Sequence, residues 1–285
     1  MQITGFVRRL SYSPVVGAGI RRLGLRRVMQ RAYAALQGNP ASVELSLHGI
    51  TAVFSVRTPH ELRCVEGAWF SENAMLAKVV SSLHAGDVFL DVGSNLGLFT
   101  IFAAKRVGTD GVVLAFEPET NAYERLLENI RVNRLSNIRP HKMALSQKTG
   151  ICHLALGDPE AVSQSAHLCD DGCDTEVVEC AAFDSLVANI NTPVPRVVKM
   201  DIEGHEYAAL QGMRGALSSP HCTSLFCEIH PRALPTGVAV QEVIGLIQSF
   251  GFHVLSRNER FEELHIVATK GPAEPSREEL KKTRC

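Results

Sequence analysis

The chain has 285 residues, 45% of them apolar and 21% charged, and a formal net charge of −1. That length suits one substantial α/β domain with an appendage, and the composition is ordinary for a globular protein. No apolar stretch approaches the roughly 18 residues that a membrane span requires. The near-neutral total hides an uneven distribution, with seven arginines and no acid in residues 1–43, and eight acids but no Lys or Arg in residues 149–195.

At the N-terminus only the short apolar run 14–20 lies between arginine pairs, without a cleavage site, so no secretory signal is expected. Residues 20–36 then carry Leu25, Val28, Met29, Ala32 and Leu36 at helical spacing, with Arg26, Arg27 and Arg31 on the other side. This basic amphipathic helix has two readings: peripheral contact with the anionic inner face of a membrane, or packing on the domain through the same stripe. Nucleic acid is not expected, because the basic residues are not continued along the chain and no aromatic residues interleave them.

Residues 43–57 alternate as two strands around His48-Gly49, a hairpin. Residues 59–83 read as helix, with a break expected near Trp69 and Phe70. From residue 88 strands and helices alternate: strand 88–92, helix 95–106, strand 111–117, helix 119–133 and strand 138–145. Two shorter apolar segments within 151–186 interrupt the pattern around an acidic loop. It resumes with strand 196–201, helix 205–217, strand 223–229 and helix 238–250, and closes with an edge hairpin near 253–257 and 264–269. Such alternation argues for a parallel sheet covered by helices on both faces. The expected organisation is a basic segment 1–42, a hairpin and helix over 43–85, a core domain over 86–270 and a charged tail over 271–285.

The eight cysteines form no framework. Cys64, Cys152, Cys180, Cys222 and Cys227 lie in or beside apolar runs and read as buried free thiols, which suits a reducing, cytoplasmic compartment. Cys169 and Cys173 flank a turn in CDDGCD, but two thiols are too few for a metal site, and a solvated loop is the expectation.

Two constellations carry chemistry. In the first, VFLDVGSNLG at 88–97, an apolar run ends in Asp91 and Gly93. A second run, 112–116, delivers Glu117. In a βαβ unit both strand ends open on one crevice, and a carboxylate at the second can accept both ribose hydroxyls. A dinucleotide fingerprint would place glycines where Gly93, Asn95 and Leu98 stand, so backbone could not approach a pyrophosphate here and a nicotinamide oxidoreductase is disfavoured. The pattern Asp91-x-Gly93-x-x-x-Gly97 with Glu117 suits a nucleoside without phosphates, of which S-adenosylmethionine is the commonest.

In the second constellation, strand 196–201 ends in KMDIEGHE and strand 223–229 in FCEIHP. Ligands in open α/β sheets sit outside the carboxyl ends of strands, so Lys199, Asp201, Glu203, His205 and Glu206 should face the same crevice as Glu228 and His230. Methyl transfer from a sulfonium to oxygen needs an alcohol that loses its proton as it attacks. His230, with an unperturbed value of about 6.5, is the expected base. Alternatively Asp201 and Glu228 could hold a divalent cation that acidifies the alcohol.

Together DVGSNLGLFT, FEPETNAYERLLENIRVN, MALS at 143–146, KMDIEGHEYAALQG and the CEIH strand end resemble the FkbM family of S-adenosylmethionine-dependent methyltransferases, over about residues 86–270. The resemblance implies a Rossmann-like seven-stranded class I methyltransferase sheet, here with an N-terminal helical and hairpin extension. It also implies O-methylation, often of sugar or polyketide hydroxyls, and the expected acceptor is a small-molecule or glycan/glycolipid hydroxyl: that of a sugar, a glycan or glycolipid, or a secondary metabolite. By position, Asp91, Gly93, Asn95 and Gly97 would surround the methionine part of the cofactor, Glu117 its ribose, and Met143, Ala144 and Leu145 its adenine. Asp201, Glu203, Glu228 and His230 would line the acceptor side. Ser94 stands where the family pattern commonly has Ala. The first 85 residues match no motif, and acceptor specificity is expected partly there. The non-enzymatic alternative is a membrane-docked nucleoside-binding module without turnover.

Overall fold

A computed structural model of the chain describes residues 42–57, 59–155, 167–169, 175–189, 192–260 and 263–271. The basic segment 20–36, most of the acidic loop around Cys173, the tail beyond 271 and the side chain of Cys64 lie outside the described residues.

Three apolar runs organise the core: β3 (Val88–Val92), β4 (Val112–Phe116) and β10 (Val197–Met200). Successive side chains of a strand point to opposite faces, and here each face has its own helix layer. Phe89 and Val113 join a cluster with Phe102 and Leu76, while Leu90 and Leu114 join one with Met200 and Leu210. Strands buried on both faces are those of a parallel sheet. Two further parallel strands, β5 (Ile138–His141) and β11 (Ser224–Ile229), extend it on either side. The closing hairpin of β12 (His253–Arg260) and β13 (Glu263–Thr269) then inserts β13 antiparallel beside β11. The seven-stranded order is β12-β13-β11-β10-β3-β4-β5. From β3 the chain builds outward through β4 and β5, then crosses to β10 and builds the other way. The crevice at such a reversal is where α/β sheets bind ligands.

The N-terminal extension belongs to the same core. The hairpin of β1 (Ser42–Leu47) and β2 (Ile50–Ser55) puts Leu45 and Phe54 into the cluster with Phe102. Helix α1 (Pro59–Ser82) runs without the expected break, because Trp69 stacks on Phe102 at 5.8 Å instead of ending the helix. Asn129 clamps the hairpin from α3 (Thr120–Val132): its Oδ1 accepts Ser55 N–H at 2.9 Å and its Nδ2 donates to the Leu96 carbonyl at 2.8 Å.

Three element boundaries depart from the sequence expectation. Helix α2 spans Leu98–Val107 rather than starting near Asn95, because Asn95 (φ 48) and Gly97 (φ 90) are left-handed. The strand expected over 138–145 divides. Its second part, β6 (Ala144–Leu145), leaves the main sheet and pairs with β9 (Thr175–Ala181). With β7 (Gly150–Ala155) and β8 (His167–Cys169) these make a separate sheet of order β6-β9-β7-β8, followed by α4 (Phe183–Asn189). The helix expected over 205–217 also divides, into α5 (Glu206–Gln211) and α6 (Arg214–Ser218), because the chain passes close to β6: a Cβ on Gly212 would lie 2.0 Å from the Ser146 carbonyl oxygen. Helix α7 (Val240–Ser249) covers the same face. Cys180, Cys222 and Cys227 are buried free thiols, and Cys152, on β7, is only half-buried. Among the described residues no helix is long and apolar enough to cross a membrane.

Candidate active site

The first strand end is built from backbone. The N–H groups of Gly93 and Ser94 both donate to the Phe116 carbonyl at 3.0 Å, which ties the turn after β3 to β4. Gly93 has φ 78, and a Cβ there would lie 1.9 Å from the Asp201 carbonyl oxygen, so only glycine lets this turn meet the loop after β10. Glu117 locks it from the other side. One of its oxygens accepts Asn95 N–H at 2.8 Å and the other accepts Glu119 N–H at 3.0 Å. Burial pushes this carboxyl up to about 7, against the pull of those two backbone donors.

A cavity of about 510 Å³ opens from this turn to the ends of β10 and β11. Its wall includes Gly93, Asn95, Glu117, Met143, Ala144 and Leu145 at one end and Asp201, Glu203, Glu228 and His230 at the other. Asp91 and Gly97 are not on that wall. Asp91 is fully buried behind the turn, accepting from Thr100 Oγ1 at 2.5 Å, with Lys199 Nζ 3.5 Å from its other oxygen. Gly97 makes room for α3, since a Cβ there would lie 2.7 Å from Leu126 Cδ1. Both residues therefore shape the turn from behind.

Lys199, His205, Glu72 and Glu263 also line the cavity. Lys199 was legible as a strand-end charge. Its function in the fold was not: Nζ donates to the Gly93 carbonyl at 2.8 Å, sits 3.7 Å from Asp201 and lies 5.1 Å over the Phe99 ring. Burial opposes its charge, but Asp91, Asp201 and Glu228 outweigh burial and raise its pKa. His205 shares a 2.9 Å hydrogen bond with Ser146. Phe54, Val65, Ala68, Ser71 and Glu72 bring the hairpin and α1 to the wall, and Leu154 and Leu168 bring the second sheet. Nothing local in the sequence marks these residues, because separate stretches of chain converge on the cavity only after folding.

The end at β10 and β11 is crowded with ionisable groups. His230 is 8% exposed, and its Nε2 lies 3.7 Å from Asp201, 3.6 Å from Glu203 and 4.0 Å from Glu228, while its Nδ1 lies 2.8 Å from Glu206. Burial opposes the imidazolium, yet the hydrogen bond and charge of Glu206, with Asp201 and Glu203, raise it to about 9. Glu203 is pushed up to about 7 by burial, with His230 pulling the other way. Glu263 also rises to about 7, through burial and its hydrogen bond with Glu228. His265 stands 3.2 Å from Glu228. Among the described residues, three sets of donors lie close enough to share a cation: Asp201, Glu203 and His230; Glu228, His230 and Glu263; and Glu72, Glu228 and His265. Asp201 and Glu228, expected as a pair, fall in different sets. Glu206, expected in the crevice, is instead fully buried beneath it.

Residues 91–254 match the methyltransferase FkbM domain. The chain belongs to the FkbM methyltransferase family. It is 30% identical over 203 residues to the hexuronic acid methyltransferase AglP of Haloferax volcanii, covering 70% of this chain and 78% of that one. It is 26% identical over 225 residues to the 31-O-demethyl-FK506 methyltransferase FkbM of Streptomyces tacrolimicus, covering 67% and 83%. Among solved structures it is similar to a methyltransferase FkbM from Methylobacillus flagellatus, at 17% identity and a TM-score of 0.46. That alignment takes in 73% of this chain and 53% of the other, about half the length of the solved protein. This FkbM-family chain is thus a methyltransferase with the Rossmann-like α/β sheet of S-adenosylmethionine-dependent enzymes.

Proposed function

We propose that this methyltransferase moves a methyl group from S-adenosylmethionine to a hydroxyl of a sugar, a glycan or glycolipid, or a secondary metabolite. The observation that carries this reading is a single cavity joining a glycine turn closed by Glu117 to a strand-end cluster of carboxylates and His230. The two relatives named above, one a hexuronic acid methyltransferase and one a 31-O-demethyl-FK506 methyltransferase, support the acceptor class.

The residues present fit the cofactor. Asn95 Oδ1 and Ser94 Oγ are buried without hydrogen-bond partners, which leaves polar capacity at the turn for a polar ligand. Glu117 would hold the ribose hydroxyls through the lone pairs its two backbone donors leave free. Gly93 and Asn95 would face the methionine part, and Met143, Ala144 and Leu145 the adenine. Bound there, S-adenosylmethionine supplies an activated methyl group.

At the other end the proton must leave the attacking hydroxyl. His230 is the expected base only if its value stays ordinary, and Glu206, Asp201 and Glu203 hold it protonated at neutral pH. Glu203, raised to about 7 and partly open to the cavity, takes that role. His230 then steadies the carboxylate that receives the proton, and Asp201 helps to orient the acceptor.

Calorimetry with S-adenosylmethionine and its demethylated product, followed by transfer of a labelled methyl to fractionated glycans and glycolipids, tests this reading. Absence of binding sinks it, and binding without any labelled product leaves the non-enzymatic alternative. For the segment 20–36 we infer peripheral contact with anionic membrane. Co-sedimentation with anionic vesicles should weaken at high salt and vanish for a chain starting at Ala41.

A further inference from the structure

Glu206 is an odd residue to bury. It begins α5, is fully shielded from solvent and contributes nothing to the cavity wall. Its Oε1 accepts two hydrogen bonds, from the His230 ring at Nδ1 (2.8 Å) and from Gly204 N–H (3.0 Å). Its Oε2 is buried without a hydrogen-bond partner, a cost that an apolar side chain of similar volume would avoid. A residue retained for packing alone need not carry that cost.

The two donors come from different parts of the acceptor end. Gly204 closes the turn that presents Asp201 and Glu203. That turn is left-handed at both Glu203 (φ 51) and Gly204 (φ 103), and a Cβ on Gly204 would lie 2.3 Å from the Ala233 carbonyl oxygen. It is thus pressed against the segment after β11, where Ala233 N–H donates to the His230 carbonyl at 3.0 Å. Left-handed backbone at a non-glycine residue persists only where the surroundings hold it. Here one carboxylate oxygen fixes both the turn and the imidazole facing it.

We propose that Glu206 is the positioning residue of the acceptor end, tying the turn that carries Asp201 and Glu203 to the ring of His230. With Nδ1–H committed to Glu206, Nε2 is left toward Asp201, Glu203 and Glu228, so the ring cannot flip without breaking a buried charge-assisted hydrogen bond. Glu206 touches no substrate and acts through the two groups it holds, as the buried carboxylate of a catalytic triad acts through its histidine. This inference rests on the assignment of the β10 and β11 ends to the acceptor.

Ring-nitrogen NMR on the full chain tests it, alongside steady-state kinetics. In the wild type, His230 should carry a slowly exchanging proton on Nδ1, assigned by its loss in His230→Asn. Glu206→Gln should displace that signal and lower kcat by about tenfold or more, with KM for S-adenosylmethionine changed by less than about twofold. Glu206→Asp should recover part of the signal and part of the rate. A role in packing alone would lower the unfolding temperature while leaving the His230 signal and the kcat-to-KM split unmoved, and that result overturns the proposal. If Glu206→Gln does not fold, the wild-type spectrum decides, since a His230 without a proton on Nδ1 refutes the arrangement. If the wild type methylates no acceptor, the proposed function fails, while the ring signal still judges the link to Glu206.

Discussion

The two ends of the cavity are built from different materials. The end at β3 and β4 is mostly backbone: a left-handed turn, two N–H groups on the Phe116 carbonyl, a glycine pressed against Asp201, and one carboxylate, Glu117, that spends hydrogen bonds on holding the loop. The end at β10 and β11 is made of side chains: Asp201, Glu203, Glu228 and Glu263 around His230 and His265. A backbone-built site fails when the chain cannot follow its path, whereas a side-chain site fails when a charge is removed. Lys199 and Gly93 join the two, so geometry at one end is felt at the other.

The sharpest test of that contrast is Gly93→Ala. The added Cβ would collide with the Asp201 carbonyl at φ 78, and we expect a loss of about 3 kcal/mol or more in denaturant unfolding together with loss of cofactor binding by calorimetry. A variant that keeps both would mean the corner is not held by its backbone. Next in size, Glu203→Gln should slow methyl transfer by about a hundredfold or more while donor affinity stays within about twofold. In the wild type the rate should climb as pH rises through about 7, where Glu203 ionises, and this acid limb should vanish in the variant. An unchanged pH profile would return the base to His230. Glu117→Ala removes the acceptor of two backbone N–H groups and should weaken cofactor binding by some tens of fold, with a smaller effect on kcat at saturation.

A smaller effect concerns stability. Glu117, Glu203 and Glu263 are each raised to about 7 in the fold, so their contribution is present in full below the unfolded carboxyl value of about 4.3 and is lost as pH rises through about 7. His230, raised to about 9, adds a loss in the same direction above its unfolded value. The unfolding temperature should therefore fall by a few degrees between pH 5 and pH 9 in a calorimetric series, less steeply in Glu117→Gln. The smallest expected effect is none: exhaustive chelation should leave the rate unchanged if Glu203 takes the proton. A loss restored by added magnesium would move that role to a cation shared by the same carboxylates.

Much of the sheet was legible because its strands are short apolar runs ending in polar or glycine residues, such as VFLDVG and VVKMD. The glycine turn with Glu117 was legible for the same reason: strand ends of a βαβ unit meet whatever the rest of the chain does. The division of 138–145 was not, since β6 leaves the main sheet to pair with β9, more than thirty residues away, and pairing partners leave no local mark. Nor was the continuity of α1, because Trp69 reads as a break until Phe102 is placed beside it. Among site residues, Asp91 and Gly97 are motif positions, and a motif does not say which side of a turn faces the ligand. Glu72 and Glu263 lie far from any motif and join the site through packing alone.

The sequence by itself therefore determined the α/β class, the succession of the core strands along the chain, the family and the two strand-end constellations. Each follows from local pattern and from the rule that ligands gather at the carboxyl ends of parallel strands. Only the tertiary structure decided the ionisation of those residues. Burial raises Glu117 and Glu203, and three carboxylates, Glu206, Asp201 and Glu203, keep His230 charged. Charge state depends on what surrounds a group in three dimensions, and those surroundings come from α1, β11, β13 and the buried Glu206, widely separated along the chain.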